Sequence, residues 1–184
     1  MLRRVIRSRL AAIALFAALS TLALTLVACG SEEATEVVEG EPAELGELAY
    51  NIQLTRFLNH HDVEDAEYLV GQPEPEPGRS YLGVFLTITN KSKDEAFDSA
   101  HSYTVVDTVG TEFEPSESES PYALDVGAEV PEESQLPIPD STAATGPNQG
   151  AVLLFLVDDT VSENRPLELE IDSPDGSAVV ELDI

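Results

Sequence analysis

One short run of the sequence carries the side chains best suited to bind a transition metal. It reads His60-His61-Asp62-Val63-Glu64-Asp65, and imidazole together with carboxylate suits zinc or copper. Adjacent histidines on a strand would point to opposite faces of a sheet, and the third histidine, His101, lies far along the chain. We therefore expect a solvated loop here, with no metal site and no cofactor.

Three groups of carboxylates could bind calcium, which takes oxygen ligands. They are residues 112–119, residues 129–133 and the pair Asp158 and Asp159. None has the Asp-x-Asp-x-Asp-Gly spacing of an EF-hand loop. We expect no calcium site here; weak, diffuse binding of divalent cations is the first alternative and a defined calcium site is the second.

The sequence has no recognisable catalytic motif. It lacks a Gly-x-Ser-x-Gly nucleophile elbow, a phosphate-binding glycine loop and a His-Glu-x-x-His zinc motif. A glycosidase needs two positioned carboxylates, but among 35 acidic residues some pair always exists, so this signal carries no information. The single cysteine, Cys29, excludes a disulfide framework within the chain. We predict a protein that is not an enzyme and has no catalytic residues.

Length and charge narrow the class of protein further. The chain has 184 residues, nine Lys and Arg, and a formal net charge of −26, which suits one compact domain with appendages. A nucleic-acid-binding protein needs a basic surface, so that class of partner is excluded. The acidity fits either a protein that works in concentrated salt or divalent cation, where charges are screened, or a merely solvated acidic exterior.

The first 28 residues have the composition of an export signal. Residues 1–9 contain four arginines and no acid, and residues 10–28 are an apolar run that ends in small residues. A basic start, an apolar centre and small residues before a cleavage site are typical of a secretory signal peptide. An uncleaved membrane-spanning anchor is the alternative, since about 20 apolar residues span a bilayer.

The end of this segment, Leu26-Val27-Ala28-Cys29, resembles the lipobox of bacterial lipoproteins. The resemblance implies cleavage between Ala28 and Cys29 and attachment of fatty acyl chains such as palmitate at Cys29. Two or more acyl chains hold a protein stably at a bilayer. The implied location is extracytoplasmic, with the protein anchored to the cell membrane. Residues 30–47 then contain seven Glu and no base, and we predict that 29–47 form a disordered acidic tether.

Residues 48–184 show the two-residue alternation of β-strands in several places. The alternating segments are 50–55, 82–89, 102–107, 111–114, 167–172 and 178–184. Residues 151–157 are instead apolar on both faces, which predicts a central buried strand. Gly110 and the turn Ser173-Pro174-Asp175-Gly176 mark hairpins. No segment after Cys29 has convincing helical periodicity. We predict an all-β fold, an antiparallel sandwich of six or seven strands, with a small barrel as the alternative.

A long proline-rich segment, residues 115–150, interrupts this pattern. Loops of this length are uncommon and are often functional or disordered. Tyr122, Ala123, Leu124 and Val126 are candidates to fix its middle to the sandwich. Because recognition often resides on loops held by a rigid scaffold, this loop is the predicted interaction surface.

Four features from Tyr81 onward occur together in a known domain. They are Thr89-Asn90 before a polar turn, a strand leading through Gly110 to Phe113, a Gly-Pro turn before a strand containing Phe155, and a closing pair of strands. This order resembles the immunoglobulin-like lipoprotein domain called domain of unknown function 4352. The resemblance implies an exported, tethered β-sandwich over residues 48–184 and no particular chemistry.

Two functions follow from these expectations. The favoured one is a non-enzymatic, membrane-anchored surface lipoprotein whose immunoglobulin-like sandwich is an interaction module for an unknown partner, with an envelope protein as one candidate. The alternative is an acidic protein that binds cations or serves under salt or envelope stress. A solute receptor with a two-lobed cleft would need a longer chain.

Overall fold

A computed structural model describes residues 34–184, so the predicted signal peptide and the predicted lipidation site Cys29 lie outside the described residues. The described part is a β-structure with two single-turn helices, and none of its helices is long and apolar enough to cross a membrane. The elements are β1 Thr35–Val38, β2 Pro42–Leu45, β3 Leu48–Leu58, α1 Val63–Ala66, β4 Arg79–Asn90, β5 Phe97–Asp98, β6 Ser102–Val106, β7 Glu112–Phe113, β8 Glu129–Val130, β9 Gln135–Leu136, β10 Ala151–Asp158, a 3-10 helix Asp159–Ser162, β11 Leu167–Ser173 and β12 Gly176–Leu182.

The strands form two main sheets that pack face to face. One has the order β1-β12-β11-β6-β7, and the other has the order β2-β3-β4-β10, with β9 also paired to β4. All pairs are antiparallel except β1 with β12. Strands β3, β4 and β10 facing β6, β11 and β12 reproduce the A-B-E and C-F-G arrangement of the immunoglobulin fold. The all-β sandwich predicted from the alternation and the immunoglobulin-like arrangement implied by the resemblance are both confirmed, and the barrel alternative is wrong.

Strand β4 is the centre of its sheet and of the hydrophobic core. Its even-numbered residues from Leu82 to Ile88 are buried, and so are Leu167, Leu169 and Ile171 of β11 in the facing sheet. On β11 the residues between them, Glu168, Glu170 and Asp172, are exposed. Each buried aliphatic side chain contributes about 1.5–3 kcal/mol relative to an exposed one. The alternation therefore places the apolar residues between the sheets and the carboxylates in solvent.

Strand β10 is buried on both faces, although it stands at the edge of its sheet. It pairs with β4 on one side only. Its other edge is covered by isolated bridges from Pro115 to Phe155 and from Ala123 to Val152. The sequence predicted a central buried strand over 151–157, and burial is confirmed, but the long loop takes the place of a neighbouring strand.

The hairpin between β6 and β7 turns at Asp107 to Gly110. Gly110 has a positive φ of +82°, which glycine adopts without steric cost in a hairpin turn. The Asp107 carboxylate accepts hydrogen bonds from the Val109 and Thr111 amides and from Asn164 Nδ2. Desolvation alone would raise the pKa of Asp107, but these hydrogen bonds outweigh it and lower the pKa from its ordinary value. The charged carboxylate thus organises the turn.

The prediction of a disordered tether over residues 29–47 is wrong for residues 35–45, which form β1 and β2. Strand β1 pairs in parallel with the free edge of β12, and β2 extends the other sheet by pairing with β3. Ala43 and Leu45 are buried, while Pro42 and Glu44 face solvent. The Glu39 carboxylate accepts hydrogen bonds from the Thr55 and Asp183 amides. The folded domain therefore includes residues 35–47 and does not begin at residue 48.

We expect Leu45→Ala to destabilise the domain, because it removes a core side chain that a disordered tether would not contain. The loss in the free energy of unfolding should be about 2–5 kcal/mol, the range for Leu→Ala in a core. Urea unfolding followed by circular dichroism measures it. Glu41→Ala, an exposed position between β1 and β2, is the matched control and should change stability by less than about 0.5 kcal/mol. If both substitutions leave the free energy of unfolding nearly unchanged, residues 35–45 do not pack on the core and the prediction of a disordered tether is right.

Candidate interaction site on the long loop

The long loop is fixed to the sandwich by backbone hydrogen bonds to β10. The Val152 amide donates to the Tyr122 carbonyl at 2.8 Å, the Leu124 amide donates to the Val152 carbonyl at 2.9 Å, and the Ser116 amide donates to the Leu154 carbonyl at 2.7 Å. These bonds satisfy backbone groups that an uncovered edge strand would leave open. The first part of the loop is therefore held in a defined position.

Apolar side chains fix the remainder of the loop. Tyr122, Leu124, Val130, Leu136 and Ala143 are buried in the core. Val130 pairs with Phe97, and Leu136 pairs with Ile88 of β4. The predicted contacts of Tyr122, Ala123 and Leu124 with the sandwich are confirmed. The same prediction for Val126 is wrong, because its side chain is 40% exposed.

The segment that contains α1 forms hydrogen bonds and ring contacts with the long loop. Tyr122 Oη donates a hydrogen bond of 2.8 Å to the Glu67 carboxylate, and Ser120 Oγ donates one of 2.7 Å to the Glu67 carbonyl. The hydrogen bond to Glu67, and after it burial, raises the pKa of Tyr122 above its ordinary value. The Tyr68 ring meets the rings of Tyr122 and Phe85 edge-on, both at 5.0 Å, a favourable aromatic geometry. Sequence analysis missed Glu67 and Tyr68.

The side chains of the run His60–Asp65 have separate partners and do not face a common metal position. His60 packs against Tyr81, with its Nε2 atom 3.2 Å from the Gln72 carbonyl oxygen. His61 is exposed beside Glu74. Asp65 is buried, pairs with Arg56 and accepts a hydrogen bond from the Asn59 amide. Within residues 34–184, no three His, Cys, Asp or Glu side chains are placed to share a metal ion.

Two open hollows both have residues 123–125 in their linings. The larger, about 450 Å³, is bordered by Glu117, Asp125 and His101 and by β10 residues 152–154. The smaller, about 210 Å³, is mainly apolar and is lined by residues that include Leu124, Leu136 and Ile138. Ile138 is 56% exposed at its rim and Val126 borders the larger hollow. We call the surface of residues 115–126 and 136–143 around these hollows the loop platform.

The platform is acidic as well as partly apolar. Residues 115–150 contain seven carboxylates and no Lys or Arg. Of the five Lys and Arg in the described part of the chain, three already form ion pairs, Arg56 with Asp65, Arg79 with Asp158 and Lys91 with Glu44. The platform thus presents negative charge that its own residues do not neutralise.

A second acidic surface lies on the outer face of the other sheet. Glu168 of β11 stands directly opposite Glu181 of β12. Glu36 and Glu41 join them around a shallow hollow of about 390 Å³ with a valine floor. Like charges directly opposite each other destabilise a sheet. We call this surface the acidic sheet face.

No family model and no curated protein matches the sequence, so the resemblance to domain of unknown function 4352 stays a prediction. Among solved structures, the chain is similar to an uncharacterised β-sandwich protein from Clostridium difficile, with a TM-score of 0.50 and 13% identity over 82% of this chain and 95% of that one. This likeness supports the fold alone.

Two Bacillus subtilis structures are also similar, each with a TM-score of 0.47 and 12% identity. The yjhA protein matches over 81% of this chain and 99% of its own. The ycdA protein, provisionally assigned as a lipoprotein, matches over 79% of this chain and 38% of its own. The described part of the chain shares its β-sandwich fold with the uncharacterised Clostridium difficile protein.

Proposed function

We propose that this chain is a non-enzymatic lipoprotein, anchored to the outer face of the cell membrane through acyl chains on Cys29. Its immunoglobulin-like sandwich binds an envelope protein through the loop platform. The lipobox residues 26–29 support the anchor, and the absence of catalytic motifs from the sequence supports a binding role. Kinship with domain of unknown function 4352 is part of the same proposal.

The observation that carries the binding role is a loop held rigidly while it exposes apolar side chains. Its backbone is bonded to β10 and its buried residues belong to the core, yet Val126 and Ile138 face solvent. A surface that is ordered before binding loses less conformational entropy when a partner binds. Exposed aliphatic side chains beside hollows then provide apolar area for contact.

We expect Ile138→Asp and Val126→Asp to reduce capture of the partner in intact cells. Each change places a carboxylate at the centre of the proposed contact, where desolvation opposes binding. Crosslinking of the lipidated protein followed by quantitative mass spectrometry measures the yield of each adduct. Val109→Asp, at a 70% exposed position in the β6–β7 hairpin, is the matched control and should leave the yield unchanged. The proposal fails if all three variants give the wild-type adducts.

The proposed anchor has a geometric consequence because β1 begins so early. Five residues separate Cys29 from Thr35, and a chain extends by at most about 3.6 Å per residue. The six residue steps span at most about 22 Å, so the start of β1 would lie no more than about 25 Å from the acylated sulfur. Strand β4 is about 40 Å long at 3.3 Å per residue, so the two ends of the sandwich differ clearly in their distance from the bilayer.

Energy transfer to acceptor-labelled lipids tests this arrangement. Acylation blocks the single native cysteine, so Asp175→Cys and Thr160→Cys each provide one labelling site, at opposite ends of the sandwich. We expect stronger transfer from position 175, which lies next to the end where Thr35 pairs with Ala178. Cys29→Ser should abolish transfer from both positions and release the protein from the membrane fraction. Equal transfer from both ends, or retention of Cys29→Ser at the membrane, would contradict the anchor.

A second candidate is the acidic, cation-dependent protein, which the acidic sheet face favours. Opposed Glu168 and Glu181 repel each other, and dissolved cations screen that repulsion. Dissolved cations would then raise the stability of the domain by screening this repulsion under the salt conditions in which the protein works.

For this candidate we expect the Tm to rise between 10 mM and 1 M NaCl, and Glu181→Lys to raise the Tm at low salt. Replacing a like-charge pair by an opposite-charge pair on a sheet is worth roughly 0.2–1 kcal/mol. Thermal unfolding by calorimetry measures both. Glu163→Lys makes the same charge change away from this face and should raise the Tm less. A wild-type Tm that is independent of salt would reject the candidate.

A further inference from the structure

We infer that the loop platform binds an extended peptide segment of its partner in which a Lys or Arg lies close to an aliphatic side chain. This inference rests on the proposed function and adds the chemistry of the partner. It follows from the two hollows, their different linings and the charge around them.

The two hollows are adjacent and differ in chemistry. Residues Ala123, Leu124 and Asp125 border both of them. The smaller hollow is lined mainly by aliphatic and proline side chains, which favours an aliphatic guest. The larger hollow also has Glu117 at its border, which the smaller lacks, in addition to the shared Asp125. A single extended segment that crosses residues 123–125 can therefore place one aliphatic and one charged side chain in the two hollows.

Charge complementarity determines the sign of that second side chain. Glu117 and Asp125 are exposed, and no ion pair in the described part of the chain involves either of them. Five further carboxylates and no Lys or Arg occupy the rest of the loop. Complementary charge speeds association and rejects partners of the same sign. A Lys or Arg is thus favoured, and an acidic segment is excluded.

The same charge argues against two other occupants. A second copy of this chain presents the same negative loop, so two platforms repel each other. An anionic membrane surface is repelled in the same way. A cationic segment of another protein satisfies both the apolar and the charged part of the platform.

Selection from a random dodecapeptide library on the purified full-length protein tests this inference. We expect selected peptides to be enriched in sequences with Lys or Arg within three residues of Leu, Ile, Val or Met. Asp125→Lys should shift the charge preference toward Asp and Glu and weaken the best wild-type peptide by about tenfold or more, equivalent to about 1.4 kcal/mol. Ile138→Asp should remove the enrichment of aliphatic residues. Both positions are exposed, and circular dichroism checks that the variants fold.

Controls separate this site from general attraction to an acidic protein. Glu163→Lys makes the same charge change as Asp125→Lys, but at the residue that follows the 3-10 helix, and should preserve the selected sequences. Peptides without a charge preference, or an equal loss of binding in both Lys variants, would overturn the inference. Concentration-dependent self-association of the wild type, lost in Ile138→Asp, would overturn it in favour of a second copy. If crosslinking in cells still depends on Ile138 in either case, the proposed function stands and only the partner chemistry is wrong.

Discussion

The apolar layer between the two sheets holds together a chain whose surface charges repel one another. Residues 34–184 carry 33 carboxylates and five Lys or Arg, and this excess opposes compaction. The fold overcomes this repulsion by keeping the acidic side chains in solvent. In strand β11, for example, Leu167, Leu169 and Ile171 point into the core and the acidic residues between them are exposed. The few Lys and Arg side chains neutralise individual carboxylates, and Arg56 forms such an ion pair with the buried Asp65. Burial between the sheets is therefore the term on which every other feature depends.

The loop platform follows from the same requirement for burial. Strand β10 is apolar on both faces and stands at a sheet edge, so its outer face and free edge must be covered. Residues 115–124 cover the edge, and Tyr68 and Tyr122 pack in the aromatic cluster around Phe85. Leu124 and Leu136 are buried in the core. Val126 and Ile138, each two residues further along the chain, are therefore left exposed to solvent. The exposed apolar surface is thus a by-product of covering β10, and it is rigid for the same reason.

The sequence predicted those elements whose burial pattern coincides with local alternation. Strands β3, β4, β6, β10, β11 and β12 fall where the alternation or apolar run placed them. Strands β1 and β2 were missed because glutamates dominate the composition there, although Ala43 and Leu45 do alternate with Pro42 and Glu44. The parallel pairing of β1 with β12 joins two segments that are about 140 residues apart in the sequence. No local sequence pattern can predict such a pairing. The loop was found by its prolines, but its support was not, since Tyr122 and Glu67 are 55 residues apart.

The position of β1 also changes what the platform can reach. Thr35 pairs with Ala178 beside the turn at residues 173–176, and Gly46 in the β2–β3 turn lies against Asp175 in the same turn. Leu48 then pairs with Asn90 at the last residue of β4, and Leu136 pairs nearby with Ile88. The part of the platform around Leu136 therefore lies toward the same end of the sandwich as Thr35. Under the proposed anchoring, that end is the one nearest the bilayer, because only a short chain connects it to Cys29. A partner segment would then be met close to the membrane surface, which favours the extracytoplasmic part of another membrane-bound protein over a freely diffusing one.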